Sequence, residues 1–133
     1  MFFHSSSYTA NPIACAAAAA NIAIWEDEPV LERVADLAAR QAVRLGGLRG
    51  VRNPRVLGTI AAVDLGADGA DYLSALGPRL LAFFRERDLL LRPLGNTVYV
   101  MPPYCIDDAD LDAVYMAIGD AAANCGNMDK LDT

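Results

Sequence analysis

Apolar residues along this chain recur with helical spacing in four stretches and as short unbroken runs in three, in the order helix, helix, strand, helix, strand, strand, helix. Residues 13–26 are alanine-rich and read as the first helix, since alanine has the highest helix propensity. A second helix over 29–45 carries Val30, Val34, Leu37, Ala38 and Leu45 as its apolar stripe and stops at Gly46 and Gly47. Glu32, Arg33, Asp36, Arg40 and Arg44 fill the other side; a partner surface is conceivable there, but a solvated face is the expected reading. Residues 51–54 read as a loop and 56–64 as one strand with small residues on both faces, Gly58 marking a bulge or a close backbone contact. Residues 66–77, rich in glycine, alanine and aspartate, read as a surface excursion with a helical turn around Tyr72.

Pro78 opens a helix to residue 87, with Leu80, Leu81, Phe83 and Phe84 as apolar contacts and Arg85 and Arg87 at its carboxy end. Strands over 89–94 and 97–101 follow, joined by Gly95-Asn96, two residues with ready access to positive φ. Pro102-Pro103 ends the second of them. Asp107 or Asp108 caps a last helix to residue 123, with Leu111, Val114, Tyr115 and Ile118 on one face, before a polar tail over 124–133. The pattern predicts an α+β domain, a mixed or antiparallel three-stranded sheet covered by helices.

Composition narrows the function classes. With 133 residues, 54% of them hydrophobic, the chain can bury one sizeable core, and no apolar run approaches membrane-spanning length, so a soluble, cytoplasmic protein is expected. Eleven basic against 17 acidic residues give a net charge of −6, which disfavours nucleic acid and anionic membranes as partners. Cys15, Cys105 and Cys125 are odd in number and lack metal-ligand spacing, so buried, reduced thiols are expected; His4 is the only histidine and no histidine metal cluster can form.

The most chemically suggestive stretch precedes the first helix. In His4-Ser5-Ser6-Ser7-Tyr8-Thr9-Ala10-Asn11-Pro12, Asn11 is a favoured N-cap and Pro12 suits the first helical position. An anion near Ser5, Ser6 and Ser7 would meet hydroxyls, the positive end of the helix dipole and free N–H donors. A serine-rich loop entering a capped, buried helix accounts for the same residues without a ligand.

That stretch with Ile13-Ala14-Cys15-Ala16-Ala17-Ala18, and later Leu91-Arg92-Pro93-Leu94-Gly95-Asn96-Thr97-Val98-Tyr99-Val100-Met101-Pro102-Pro103-Tyr104, resembles the carboxy-terminal part of class III pyridoxal-phosphate-dependent aminotransferases. The resemblance runs over nearly the whole chain, in order, and is strongest toward members acting in biotin synthesis. It implies the small carboxy-terminal domain of a fold-type I enzyme. Residues 1–12 would be a cofactor-phosphate and dimer loop left over from the large domain, 13–26 the interdomain helix, 27–123 the small domain and 124–133 the tail. The implied reaction converts 8-amino-7-oxononanoate to 7,8-diaminononanoate with S-adenosylmethionine as amino donor, in a homodimer acting on small molecules.

The resemblance also assigns roles. Ser5, Ser6 and Ser7 occupy the segment that reaches the partner subunit's cofactor phosphate, with Ser7 at the hydroxyl position. Many members have Gly-Pro-Thr there, so the backbone of this segment departs from the family pattern. Arg92 matches the arginine that binds the substrate carboxylate, a task suited to the bidentate guanidinium fork. Tyr99 matches a tyrosine near the same substrate, or is an ordinary strand aromatic. The family binds its cofactor covalently through a lysine, and the only lysine here, Lys130, lacks the surroundings of that residue. The chain alone is therefore expected to be inactive. Two alternatives stand beside this reading: part of a class III enzyme acting on ω-amino acids or amines, and an orphaned, non-catalytic interaction domain exposing the alanine helix.

Overall fold

The computed structural model describes residues 9–66 and 76–128. The elements are α1 (Pro12–Asp27), α2 (Val30–Gly47), β1 (Arg52–Leu57), β2 (Ile60–Asp64), α3 (Leu76–Arg85), β3 (Thr97–Val100) and α4 (Asp108–Met128). By its contacts the chain falls into two units, residues 1–33 and 34–133.

In the first unit, α1 forms for local reasons. Asn11 caps it, its side-chain oxygen accepting from the Ile13 and Ala14 N–H groups at 3.0 and 3.3 Å, and Pro12 stands where no donor is needed. The helix carries no charge before Glu26, and none of its residues is buried. Arg33 pairs with Glu28 just beyond it.

The second unit holds the core. Its sheet is antiparallel, in the order β1, β2, β3, with Leu57 opposite Ile60 and Ala61 opposite Val100. Ala61, Val63, Val98 and Val100 point from β2 and β3 into a cluster completed by Leu37 and Leu45 of α2, Leu80 and Phe84 of α3, and Leu111, Tyr115, Ile118 and Ala121 of α4. The α4 residues in that set recur at intervals of three and four, which places them on one helical face. This is the α+β domain with a three-stranded sheet that the sequence pattern predicts.

Its strands are distributed differently, however. The run over 56–64 is not one strand: the chain reverses at Gly58-Thr59, and residues 52–57, expected as loop in part, form the edge strand. Gly58 takes φ +55° at the first turn position and meets nothing within 4 Å of a notional Cβ, so it is a hairpin glycine and neither a bulge nor a close contact. The bulge lies in β1, where the register breaks between Arg52 and Arg55 and Asn53 has φ +48°. Pro54 sits in this edge strand, where the missing donor is tolerated.

Residues 89–93 are not a strand either. Only Leu94 bridges to Thr97, because Pro93 supplies no ladder donor and just the two flanking residues of the turn pair. Helix α3 begins at Leu76, so Pro78 lies within the first turn, where its absent N–H breaks no bond. Helix α4 runs on to Met128, five residues past its expected end, with buried Ala121 and Cys125 extending its apolar face. Tyr72, expected in a helical turn, lies outside the described residues.

Polar groups join α2 to α4. Gln41, fully buried, donates to the Thr59 carbonyl at 2.8 Å and accepts from the Tyr115 hydroxyl at 3.0 Å. Burial pushes the Tyr115 phenol up to about 12, against a smaller opposing pull from Arg44. Arg44 donates to Asp112 and Asp108 at 2.7 and 2.8 Å, and Arg40 donates to Asp108 at 3.0 Å. The expected solvated face of α2 is thus partly an interhelix clamp. Arginine stems cover the seam while the carboxylates of Asp108 and Asp112 at the start of α4 accept from their heads. Among the described residues, no helix is long and apolar enough to cross a membrane.

Candidate functional site

Two of the five residues singled out by sequence fall within the described structure. Arg92 lies on the extended segment that leads from the end of α3 to the turn at Gly95-Asn96, and it is exposed. The chain enters this segment by reversing at Asp88, which has φ +57°, while the Leu89 N–H returns to the Phe84 carbonyl at 3.0 Å. Arg92, Pro93, Leu94 and Gly95 form one side of a cavity of about 290 Å³, and Gly77, Pro78 and Leu81 of α3 form the other. Among the described residues, no carboxylate lies within ion-pair distance of the Arg92 guanidinium. A cation beside an apolar wall has the chemistry to receive an acid with an aliphatic chain, with Leu81 and Leu94 as the apolar border.

The contrast with a larger cavity is instructive. About 530 Å³ lies between α2 and α4, bordered by Leu48, Met116 and Gly119, but the Arg44 guanidinium at its edge is already engaged by Asp108 and Asp112. Size alone therefore favours the α2–α4 groove, whereas an uncommitted charge favours the Arg92 cavity.

Tyr99 is half-buried on β3, opposite Ala62, and does not border the Arg92 cavity. It shares the sheet face turned away from the core with Thr97, Ala62 and Asp64, because side chains alternate along each strand. On that face the sequence reading missed a polar cluster. Asp64 accepts from Thr97 Oγ1 at 2.8 Å, from Asn53 Nδ2 at 2.9 Å and from an Arg55 amino group at 3.1 Å. Burial raises the Asp64 carboxyl, but the bonds from Asn53, Thr97 and Arg55 together hold it below the usual carboxylate value. The one available signal was an aspartate ending an apolar strand, which by itself is ambiguous. Gln41 escaped for a related reason, since a polar residue on a helix is read as exposed.

His4, Ser5, Ser6 and Ser7 lie outside the described residues. The helix they lead into is described, and it corrects one expectation. Asn11 takes the Ile13 and Ala14 N–H groups, Pro12 has none, and the Cys15 N–H donates to the Asn11 carbonyl at 2.9 Å. The first turn of α1 therefore has no free donor for an anion, and a phosphate held by this segment would rely on the serine loop. The cysteine expectation is corrected as well: Cys125 is buried, but Cys15 and Cys105 are exposed, since no residue of α1 is buried and Cys105 stands in a turn beside the exposed Tyr104.

Residues 2–122 match the family model described as aminotransferase class-III. The chain is 42% identical over 120 residues to the adenosylmethionine-8-amino-7-oxononanoate aminotransferase of Synechococcus elongatus, covering 90% of this chain and 28% of that protein. It is 38% identical to the enzyme of the same name from Helicobacter pylori, covering 79% and 25%. Among solved structures, a transaminase from ancestral reconstruction superposes with a TM-score of 0.78 at 27% identity, covering 96% of this chain and 30% of that one. An amine transaminase from an uncultivated Pseudomonas species in its PLP-bound form gives 0.70 at 27%, covering 94% and 30%. An (S)-enantioselective omega-transaminase from Thermomicrobium roseum gives 0.77 at 26%, covering 94% and 30%. The chain thus spans about a quarter of the length of the curated relatives it matches.

Proposed function

The chain belongs to the class-III aminotransferases, and we propose that it serves within an enzyme that converts 8-amino-7-oxononanoate to 7,8-diaminononanoate, with S-adenosylmethionine as amino donor. The observation that carries this reading is Arg92. Its uncommitted guanidinium edges an apolar-walled cavity, in a chain similar to enzymes whose names specify that carboxylic acid. In this reading Arg92 binds the substrate carboxylate in bidentate fashion and sets the distance from that anchor to the reacting carbon. Tyr99 matches a tyrosine near the same substrate in the family, but it does not border the Arg92 cavity, so any contact it makes lies away from the carboxylate.

Pyridoxal 5′-phosphate supplies the electron sink for amino transfer when bound in such an enzyme. Toward it this chain offers the hydroxyls of Ser5, Ser6 and Ser7, with Ser7 at the phosphate of the partner subunit in a homodimer. The one lysine of this chain, Lys130, stands in the polar tail outside the described residues and lacks the surroundings of the cofactor lysine. In this reading a lysine elsewhere in the enzyme holds the cofactor covalently, and the 133-residue chain by itself is inactive.

The test is a chimera in which this chain replaces the matching quarter of the Synechococcus elongatus relative. Transfer to 8-amino-7-oxononanoate should survive. Arg92→Ala should raise KM for that acid by about 100-fold while the half-reaction with S-adenosylmethionine, whose own carboxylate this reading does not assign to Arg92, stays unchanged. No loss with that acid would remove Arg92 from the substrate site, and equal losses in both half-reactions would mean that it holds the carboxylates of both substrates. A chimera that acts on simple amines and ignores the amino acid would place the chain with the omega-transaminases.

A further inference from the structure

Arg92 belongs to no helix or strand, so something else must hold its backbone in place. Downstream, the turn from Leu94 to Thr97 is tied on several sides. Leu94 N–H donates to the Thr97 carbonyl at 2.8 Å, Thr97 N–H returns to Leu94 at 3.0 Å, and Leu65 N–H donates to the Asn96 carbonyl at 2.8 Å. Thr97 Oγ1 is in turn bound to Asp64. Within this turn Gly95 is buried and takes φ +60°, while Asn96 stays at negative φ, the arrangement of a turn with glycine at its first central position.

The first turn of α3 presses on the other side. A Cβ placed on Gly77 would stand 3.2 Å from the Gly95 carbonyl oxygen and 3.6 Å from the Gly95 Cα and N. All three are backbone atoms with no flexible end that could yield. Gly77 has helical φ, so its conformation does not require glycine, and glycine is a poor helix former. The close approach to Gly95 is what accounts for it. Because Gly77 and Gly95 border the same cavity as Arg92, any displacement of the turn is transmitted through Pro93 to the guanidinium.

We propose that Gly77 is a positioning residue for Arg92: its bare Cα lets α3 seat against the Gly95 turn and so sets where the carboxylate-binding fork stands. This inference rests on the carboxylate reading of Arg92. A side chain at position 77 pushes the turn away by a few tenths of an ångström and turns the fork from the mouth of the cavity.

The experiment uses the full 133-residue chain, nitrogen-15 labelled, with heptanoate as the carboxylate probe. In the unmodified chain, heptanoate should shift the Arg92 Nε–H signal and the Gly95 and Asn96 amides, and Arg92→Ala should abolish the response of those amides. Gly77→Ala should move the Gly95 and Asn96 amide signals and weaken heptanoate binding by about fivefold or more, since small misplacements of an anchoring group are costly. Gly119→Ala is the control. It also adds a methyl to a helical glycine, but meets only the end of Leu48 at 3.5 Å, and should leave binding unchanged. No heptanoate response in the unmodified chain overturns the carboxylate reading itself. A response that Gly77→Ala leaves within about twofold, with Gly95 unmoved, overturns the role of Gly77 alone. If Gly77→Ala does not fold, hydrogen exchange of the unmodified chain decides: the Leu65, Leu94 and Thr97 amides should exchange as slowly as those of β2, and fast exchange sinks the idea of a pinned turn.

Discussion

Helices α1 and α4 are both long and rich in alanine, yet they are held by different forces. α1, 16 residues from Pro12 to Asp27, has an N-cap and a first-turn proline but no buried residue. α4, 21 residues from Asp108 to Met128, buries Leu111, Val114, Tyr115, Ala117, Ile118, Ala121 and Cys125 against the core. An isolated helix of about 12–15 residues is marginal in water, so α1 stands close to the limit of what propensity and capping support. An apolar helix without charges is normally covered. The difference teaches that good local signals and a role in the core are separate properties, and the first does not imply the second.

The sharpest way to break this comparison is to shave both helices. Leu111→Ala should cost about 2–5 kcal/mol, because it opens a void among side chains that cannot close over it. Ile22→Ala on α1, 60% exposed, should stay within about 0.5 kcal/mol of the unmodified chain. Chemical denaturation followed at the Tyr115 end of the core reads both, and equal losses would mean that α1 is packed after all.

A smaller effect probes the polar part of the α4 interface. Tyr115→Phe leaves the Gln41 side-chain oxygen buried without its donor and should cost about 1–3 kcal/mol. The same tyrosine gives a pH signature. Its phenol is pushed up to about 12, above the usual value of 10, so the unfolded chain loses this proton first. Its contribution is fully present below pH 10 and is lost as pH rises from 10 toward 12. In Tyr115→Phe that alkaline slope should vanish from the unfolding free energy, and an unchanged slope would assign it to another group.

What could be read from the sequence follows the same division. All four helices were legible, because alanine content, Asn11, Pro12 and the three-and-four spacing of α4 are signals carried within each helix. The sheet was legible in its strand count but not in its connections. A run such as residues 56–64 looks continuous, and only pairing across the Gly58-Thr59 turn divides it. Arg92 was singled out by its neighbours in sequence. Its cavity was not, since Gly77 and Leu81 reach it from 11 or more positions away. Asp64 and Gln41 were missed because a polar residue shows in sequence that it needs partners, but never which ones it has.

Returning to α1, its cap offers a local test. Asn11→Ala removes the acceptor for the Ile13 and Ala14 N–H groups and should weaken the helix by about 1 kcal/mol. Amide exchange of Ile13, Ala14 and Cys15 should quicken, with the Leu111 and Ile118 amides unaffected. If exchange quickened throughout α4 as well, the two helices would be energetically coupled, and the contrast between them would fail.

The smallest effect separates the two units by acid. From Pro12 to Trp25, α1 has no carboxylate, whereas the sheet depends on one that is largely buried, Asp64, with 16% of its side chain exposed. Burial works against the charged form, but the donors Asn53, Thr97 and Arg55 outweigh it and hold the carboxyl below the usual 3.8. Unfolding frees the carboxyl to bind a proton more readily, so stability from this site is fully present above pH 3.8 and drains away as pH falls through the lower native value. Following the Thr97 and Ala62 amides during acidification should therefore show protection fading below that pH, while the Ile13 and Ala14 amides, after correction for intrinsic exchange, hold steady. Asp64→Asn keeps an acceptor for Thr97 but has no carboxyl to titrate, so its acid profile should be flatter in the sheet and identical in α1. A profile that stayed as steep in Asp64→Asn would mean that the acid sensitivity of the sheet comes from the surface pairs between α2 and α4, and that Asp64 is a spectator on the face it shares with Tyr99.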